Sequence, residues 1–321
     1  MPDIKAQQEI TRSLISDSSK KQDSMAQNRI AQGSMAQAVE TTLGPYQQTV
    51  SSSVSVKGVG LHLGQQTTVT LLPAEPNAGR YFVRTDLADA VPIAATVANV
   101  VQTQLSTEIG VDGLTIRTVE HLLSALSALA IDNVRIEIDG PELPLLDGSA
   151  KDWVAAIAAI PIQTQSTLRK VRSPLTQPIS VQVEAAWVAA FPSDELRFSY
   201  GIDFDLLAIG NQWHSWSSAT GDFASDIAPA RTFVLAHQVD YLRQQGLIKG
   251  GTLDNALVCG QEGWINPPLR FENEPARHKL LDLIGDLSLL ETIPVAHYVA
   301  YKAGHGLHVE LARQIIRNCL L

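Results

Sequence analysis

His278, Asp282 and Asp286 follow one another at intervals of four residues, so on a helix all three project from one face. A histidine and a carboxylate one turn apart point in nearly parallel directions and can grip the same cation. The same spacing also suits an ion pair on a solvated helix face. Leu281, Ile284 and Leu287 lie on a different stripe that can face a core. Glu120-His121 is a second pair, because a carboxylate beside a metal ligand can take a proton from water. An acid in the first turn of a helix is equally at home next to the helix dipole, which accounts for Glu120 but not for His121. The third feature is Tyr301-Lys302-Ala303-Gly304-His305-Gly306-Leu307-His308. Glycines on both sides of His305 let a loop turn tightly and approach a ligand. His308 and His62 stand in no such setting and rank below it.

These residues must be held by regular elements. Thr118 to Leu129 carries apolar residues at 119, 122, 123, 126 and 129, the period of a helix, with Thr118 as a natural N-cap. A second long helix is expected from about Pro275 to Leu290, with Pro275 near its first turn. Shorter helices are expected from Asp152 to Ile160 and from Ala236 to Gln245, the latter ending at Gly246. Val50, Val54 and Val56, the Gly58-Val59-Gly60-Leu61-His62-Leu63-Gly64 run and Thr67-Thr68-Val69-Thr70-Leu71 read as strands joined by turns. Val134 to Ile138 and Ile179 to Val183 alternate likewise, and Ala186 to Phe191 and Leu196 to Phe204 follow as strands. Strands followed by helices, twice over, predict an α+β protein of two domains, 44–165 and 169–321, each a sheet covered by helices on one face. Polar residues 163 to 178, with Pro174 and Pro178, read as the linker.

Composition narrows the field. With 321 residues, 45% of them hydrophobic and 18% charged, the chain has room for two cores and the balance of a soluble globular protein. No apolar stretch reaches the ~20 residues of a bilayer span. A net charge of -9 argues against nucleic-acid binding, yet leaves room for an anionic small substrate held by a few local cations. Cys259 and Cys319 are far apart, so any metal must be held by histidines and carboxylates, which fits a reducing, cytoplasmic compartment. Residues 1–43 are rich in Ser, Gln, Lys and Asp, carry no amphipathic period, and are expected to form a disordered tail.

Taken together, the motifs resemble one family, the UDP-3-O-acyl-N-acetylglucosamine deacetylases (LpxC) of bacterial lipid A synthesis. The resemblance runs in order through Gly58-Val59-Gly60-Leu61-His62, Thr118-Val119-Glu120-His121-Leu122, Asp139-Gly140-Pro141-Glu142 and Leu145-Leu146-Asp147-Gly148-Ser149. It continues through Ala230-Arg231-Thr232-Phe233, Gly250-Gly251-Thr252-Leu253-Asp254-Asn255, Pro275-Ala276-Arg277-His278-Lys279 and Lys302-Ala303-Gly304-His305. It implies two similar domains packed face to face with the active site at their junction. It also implies a Zn2+ held by His121, His278 and Asp282, with a position left for water. Glu120 would be the base, the Thr232 hydroxyl would stabilise the oxyanion, and His305, oriented by Asp286, would serve the leaving amine. Lys279 and Lys302 would meet anionic parts of the substrate, Phe233 would pack on it, and His62 would line its site.

The implied substrate is an acylated UDP-sugar, handled by a monomer. Its acyl chain would occupy a passage between Phe233 and Asn266, around Val234, Leu235, Leu242, Leu247, Ile248 and Ala256 to Val258. The chain departs from the family pattern at Val234, where glycine is usual. It departs again at Gly306-Leu307-His308-Val309, where Ala-Leu-Asn-Asn is frequent, and at the stiff Asn266-Pro267-Pro268. These touch substrate preference rather than the ligands. A deacylase for another N-acylated sugar nucleotide, or a silent UDP-sugar binder, are the competing readings. Binding alone needs no base beside a metal, which speaks against the second.

Overall fold

A computed structural model describes residues 44–319. Two five-stranded sheets dominate it. The first joins β2 (Val54–Val59), β3 (Gln66–Pro73), β9 (Val134–Ile138), β4 (Arg80–Arg84) and β5 (Ile93–Ala94) in that spatial order. The second joins β11 (Ile179–Val183), β12 (Ala186–Phe191), β18 (His297–Tyr301), β13 (Arg197–Asp203) and β14 (Asn211–Ser217). Within each sheet the sequence order is first, second, fifth, third, fourth. In each, one parallel pair, β9 with β4 and β18 with β13, sits among antiparallel neighbours. Period-two alternation decides the buried face: Val134, Ile136 and Ile138 point inward from β9, as do Val188 and Ala190 from β12.

Smaller sheets complete the frame. β6 (Val100–Gln102), β7 (Glu108–Val111) and β8 (Leu114–Arg117) form one, and β15 (Phe233–Leu235), β16 (Leu257–Gly260) and β17 (Gly263–Trp264) another. β1 (Tyr46–Val50) pairs with β10 (Ile162–Leu168). The strand β10 corrects the expected linker: residues 163–168 carry backbone pairing to β1, and the Gln165 side chain bonds Asn133 and the Ala74 carbonyl, so a polar run here is the exposed edge of a ribbon.

Six α-helices occur among the described residues: α1 (Glu120–Ala128), α2 (Lys151–Ala158), α3 (Phe223–Asp226), α4 (Ala236–Gln244), α5 (Glu274–Leu287) and α6 (His305–Cys319). No described helix is long and apolar enough to cross a membrane. α1 packs on α5, α5 lies over β13 and β14, and α6 lies over β11 and β12. Leu122, Leu123 and Leu126 of α1 and Leu280, Leu281, Leu283 and Leu287 of α5 are buried, each worth about 1.5–3 kcal/mol of transfer free energy. The solvated face considered for α5 does not exist, since His278, Asp282 and Asp286 are as buried as its leucines. Pro275 sits in the first turn as expected, and the helix tightens into a 3-10 turn at Ser288–Leu290.

Two helix starts differ from the sequence reading. Thr118 does not cap α1; its φ of 61° turns the side chain away, and its hydroxyl donates to Glu142 at 3.1 Å, leaving Val119 as the cap residue. His305 is not in a loop but is the first residue of α6. The tail 1–43 lies outside the described residues.

Where α1 and α5 cross, Gly285 lies against the backbone of Glu120. A Cβ there would stand far inside contact distance of the Glu120 carbonyl oxygen. Gly285→Ala is therefore expected to cost about 1–3 kcal/mol of stability in denaturant unfolding. Gly304→Ala, whose added Cβ meets nothing within 4 Å, is expected to leave the transition in place.

Candidate metal and active site

The crossing of α1 and α5 brings His121 to the face of α5 that carries His278 and Asp282. Oδ1 of Asp282 lies 3.4 Å from Nε2 of His278 and 3.6 Å from Nε2 of His121, and the two rings meet edge to face with centroids 5.0 Å apart. Nδ1 of His278 is 3.0 Å from the Ala230 carbonyl, which only accepts, so the proton sits on Nδ1 and the lone pair of Nε2 faces Asp282. Asp282 is 2% exposed, and its Oδ1 has no hydrogen-bond partner. A buried carboxylate oxygen without a donor is costly unless a cation meets it. These three donors, with ligand atoms all within 4.8 Å of one another, fit a divalent cation that takes nitrogen and oxygen ligands.

The charge states agree with that fit. Burial pushes the pKa of His278 down to about 4, against the pull of Asp282, so the imidazole is neutral as a ligand must be. Burial opposes ionisation of Asp282, but the positive charge of Lys279 beside it helps hold its carboxyl well below the usual range. Nζ of Lys279 donates to Oδ2 of Asp282 at 2.8 Å, so only Oδ1 is left without a protein donor.

Glu120, 3% exposed, opens α1 one residue before His121. Burial raises its pKa, partly offset by His305 and His121, and its Oε2 accepts the Thr107 N–H at 3.1 Å. The Thr107 hydroxyl in turn donates to Oδ1 of Asp286. Oδ2 of Asp286 lies 2.8 Å from Nδ1 of His305, whose Nε2 is 3.9 Å from Asp282. Burial disfavours the charged His305 ring, but Asp286, Asp282 and Glu120 outweigh it and its pKa is pushed up to about 9.

Two cavities open beside this cluster. One of about 310 Å³ is lined by Thr232, Phe233, Lys279 and His305 together with Thr103 and Leu105. The other, about 580 Å³, is largely apolar, with Val234, Leu242, Ile248, Ala256 and Val258 among its walls. Thr232 lines both and is pinned by backbone bonds to Gly148 and Leu257; Phe233 also lines both and rests edge-on against Phe204. His62 lines the larger cavity with its ring buried, and the Glu142 carboxylate receives its backbone N–H. Lys302 lies apart from these: its Nζ is 3.3 Å from Asp203, and it lines neither cavity. Of the expected passage residues, Leu235, Leu247 and Leu257 do not line the cavity, and Leu257 is fully buried in the sheet.

The sequence reading missed Thr107 and underrated His308, whose Nδ1 is also 2.8 Å from Asp286. Thr107 carried no spacing signal, since it meets Asp286 only through the tertiary fold. His308 did carry one, the i, i+3 interval from His305, legible only if α6 starts at His305.

A buried two-histidine, one-aspartate cluster with a buried glutamate at its edge is the equipment of a metal-dependent hydrolase. Comparison with known proteins agrees. Residues 47–317 match the family model described as UDP-3-O-acyl N-acetylglycosamine deacetylase, and the chain belongs to that family. The chain is 57% identical over 274 residues to the UDP-3-O-acyl-N-acetylglucosamine deacetylase of a Nostoc species, covering 84% of this chain and 98% of the relative. It is 52% identical to the protein of that name from Thermosynechococcus vestitus, over 85% of this chain and 94% of the relative. It is 47% identical to an Arabidopsis thaliana protein named as probable UDP-3-O-acyl-N-acetylglucosamine deacetylase 1, mitochondrial, over 85% and 88%.

His278→Ala is expected to lose stoichiometric metal in elemental analysis, whereas Glu120→Ala is expected to retain it. Full metal content in the first variant would contradict the ligand assignment.

Proposed function

We propose that this chain hydrolyses the acetamide of UDP-3-O-acyl-N-acetylglucosamine, releasing acetate and UDP-3-O-acyl-glucosamine for lipid A biosynthesis. The observation that carries the reading is the unpartnered Oδ1 of Asp282 facing His121 and His278, beside the buried Glu120, in a chain of this family. The repeated strand order supports two similar domains, 44–165 and 169–321, packed face to face with the site at their junction. His121 and Glu120 would come from the first, and His278, Asp282, Asp286 and His305 from the second.

The ion we assign is zinc, held by His121, His278 and Asp282; when bound it supplies Lewis acidity, polarising the acetamide carbonyl and making water acidic enough to lose a proton near neutral pH. Glu120 takes that proton, its raised pKa bringing it closer to the working pH than an exposed glutamate. The Thr232 hydroxyl donates to the carbonyl oxygen as negative charge builds there. His305 has its Nδ1 proton committed to Asp286, so Nε2 is the atom that stabilises charge and delivers a proton to the leaving amine. Lys279 adds positive charge at the smaller cavity and holds Asp282 in place. The apolar cavity takes the acyl chain.

Acetate release from UDP-3-O-acyl-GlcNAc, abolished by a chelator and restored by zinc, is the direct test; an active chelated enzyme would overturn it. Glu120→Ala is expected to lose about 10²–10⁴-fold in kcat. The profile of kcat/KM against pH is expected to be bell-shaped. Activity falls at low pH as Glu120 gains a proton, from a pKa above the ordinary carboxylate range. It falls at high pH as His305 loses one, at or below about 9 because a bound cation disfavours imidazolium. His305→Gln is expected to abolish the high-pH limb. Ile248→Trp, which fills the apolar cavity, is expected to raise KM for long-chain substrates more than for short ones. Equal KM changes at all chain lengths would place the acyl chain elsewhere.

A further inference from the structure

Both oxygens of the buried Asp286 carboxylate are engaged. Oδ1 accepts from the Thr107 hydroxyl, and Oδ2 lies 2.8 Å from Nδ1 of His305 and 2.8 Å from Nδ1 of His308. An ionised carboxylate only accepts, so each imidazole carries a proton on Nδ1 and keeps Nε2 for other work. Nε2 of His308 faces the Tyr200 hydroxyl at 3.0 Å, and the two rings meet edge to face with centroids 5.6 Å apart. That hydroxyl is also 2.7 Å from the carbonyl of Ala303, two residues before His305. The backbone N–H of His308 bonds the Gly304 carbonyl at 3.1 Å, closing the first turn of α6. His308 is fully buried and lines neither cavity, so it does not touch substrate.

We propose that His308, locked by Tyr200, is a positioning residue for the deacetylation: it shares the Asp286 oxygen with His305, fixes the carboxylate's rotamer, and thereby aims Nε2 of His305 at the reacting amide. Asp286 has two rotatable bonds, and with only Thr107 and His305 as donors it can swing while keeping one of them. A third donor on the face away from the cavities removes that freedom. Tyr200, on β13, packs its ring edge to face with His308, and its single hydroxyl proton goes either to the Ala303 carbonyl at the turn that delivers His305 or to the Nε2 lone pair of His308, tying down one of the two at a time. Asparagine, the residue the family pattern offers at this position, sets an amide N–H close to where Nδ1–H lies but cannot reach Tyr200. The histidine of this chain therefore adds a brace from β13 to the catalytic turn.

The test compares His308→Leu, His308→Asn and Tyr200→Phe in the zinc-loaded, full-length protein, reading kcat, KM and zinc content. His308→Leu is expected to lower kcat by about 10–100-fold, the usual cost of removing such a support, with KM and zinc stoichiometry unchanged. His308→Asn is expected to recover most of that loss. Tyr200→Phe, which keeps every carbon of the ring, is expected to lower kcat by roughly 3–10-fold at constant KM, a partial form of the same loss. Wild-type kcat in His308→Leu, or no recovery in His308→Asn, overturns the proposal. If His308→Leu does not fold, unchanged kcat in Tyr200→Phe overturns it instead. The inference rests on the deacetylase reading, and the two fail differently. A wild type that releases no acetate defeats that reading, while an active wild type indifferent to these variants defeats only the positioning role.

Discussion

Gly285 lets the backbone of α5 come down onto the backbone of α1 at Glu120, and the geometry of the site follows from that contact. With any larger residue the helices would stand further apart, because protein interiors give way little. The separation matters more here than elsewhere in the core. His121 belongs to α1, while His278 and Asp282 belong to α5, so the 3.6 Å from Nε2 of His121 to Oδ1 of Asp282 is a distance between helices, whereas the 3.4 Å from His278 is set within α5. Glu120, whose carbonyl touches Gly285, is carried to the same point by the same crossing. The proposed ligands and base are thus placed by one packing contact.

Burying so many ionisable groups is expensive, and the structure offsets the cost locally. Lys279 neutralises one oxygen of Asp282, Thr107 and two imidazoles surround Asp286, and the Thr107 N–H meets Glu120. Among the buried atoms of the described residues without a partner, which include Nδ1 of His121 and the ring nitrogens of His62, Oδ1 of Asp282 is the carboxylate oxygen that a cation would meet. Further out, Glu274 does similar work at the start of α5. Fully buried, it receives Arg231 and the backbone of Arg270, and so ties the Ala230-Arg231-Thr232 segment to the helix bearing His278. That clamp sets both the Ala230 carbonyl that orients His278 and the Thr232 that lines the cavities.

Much of this was legible before the fold was known, and the reasons are specific. The i, i+4, i+8 interval of His278, Asp282 and Asp286 needed only helical geometry, and the apolar period found α1 and α5 within a few residues. His121 could not be joined to them by spacing, because 157 positions separate it from His278; only the family resemblance linked the two. Local rules misread Thr118, since a residue suited to capping was recruited by Glu142 in a conformation that cannot cap. His305 read as loop because flanking glycines suggest a turn, although the helix begins on it. Thr107 was invisible, as its bonds to Glu120 and Asp286 cross 13 and 179 residues of chain. The polar run at 163–168 hid a strand because both of its faces are largely exposed.

The central claim is that one helix crossing assembles a cation site from two imidazoles and one carboxylate. X-ray absorption at the zinc edge of the loaded protein tests it most directly. The account predicts a first shell of two imidazole nitrogens near ~2.0–2.1 Å with the remaining ligands oxygen, and loss of one imidazole in His121→Ala. A shell containing sulfur, or one unchanged by that substitution, would contradict it.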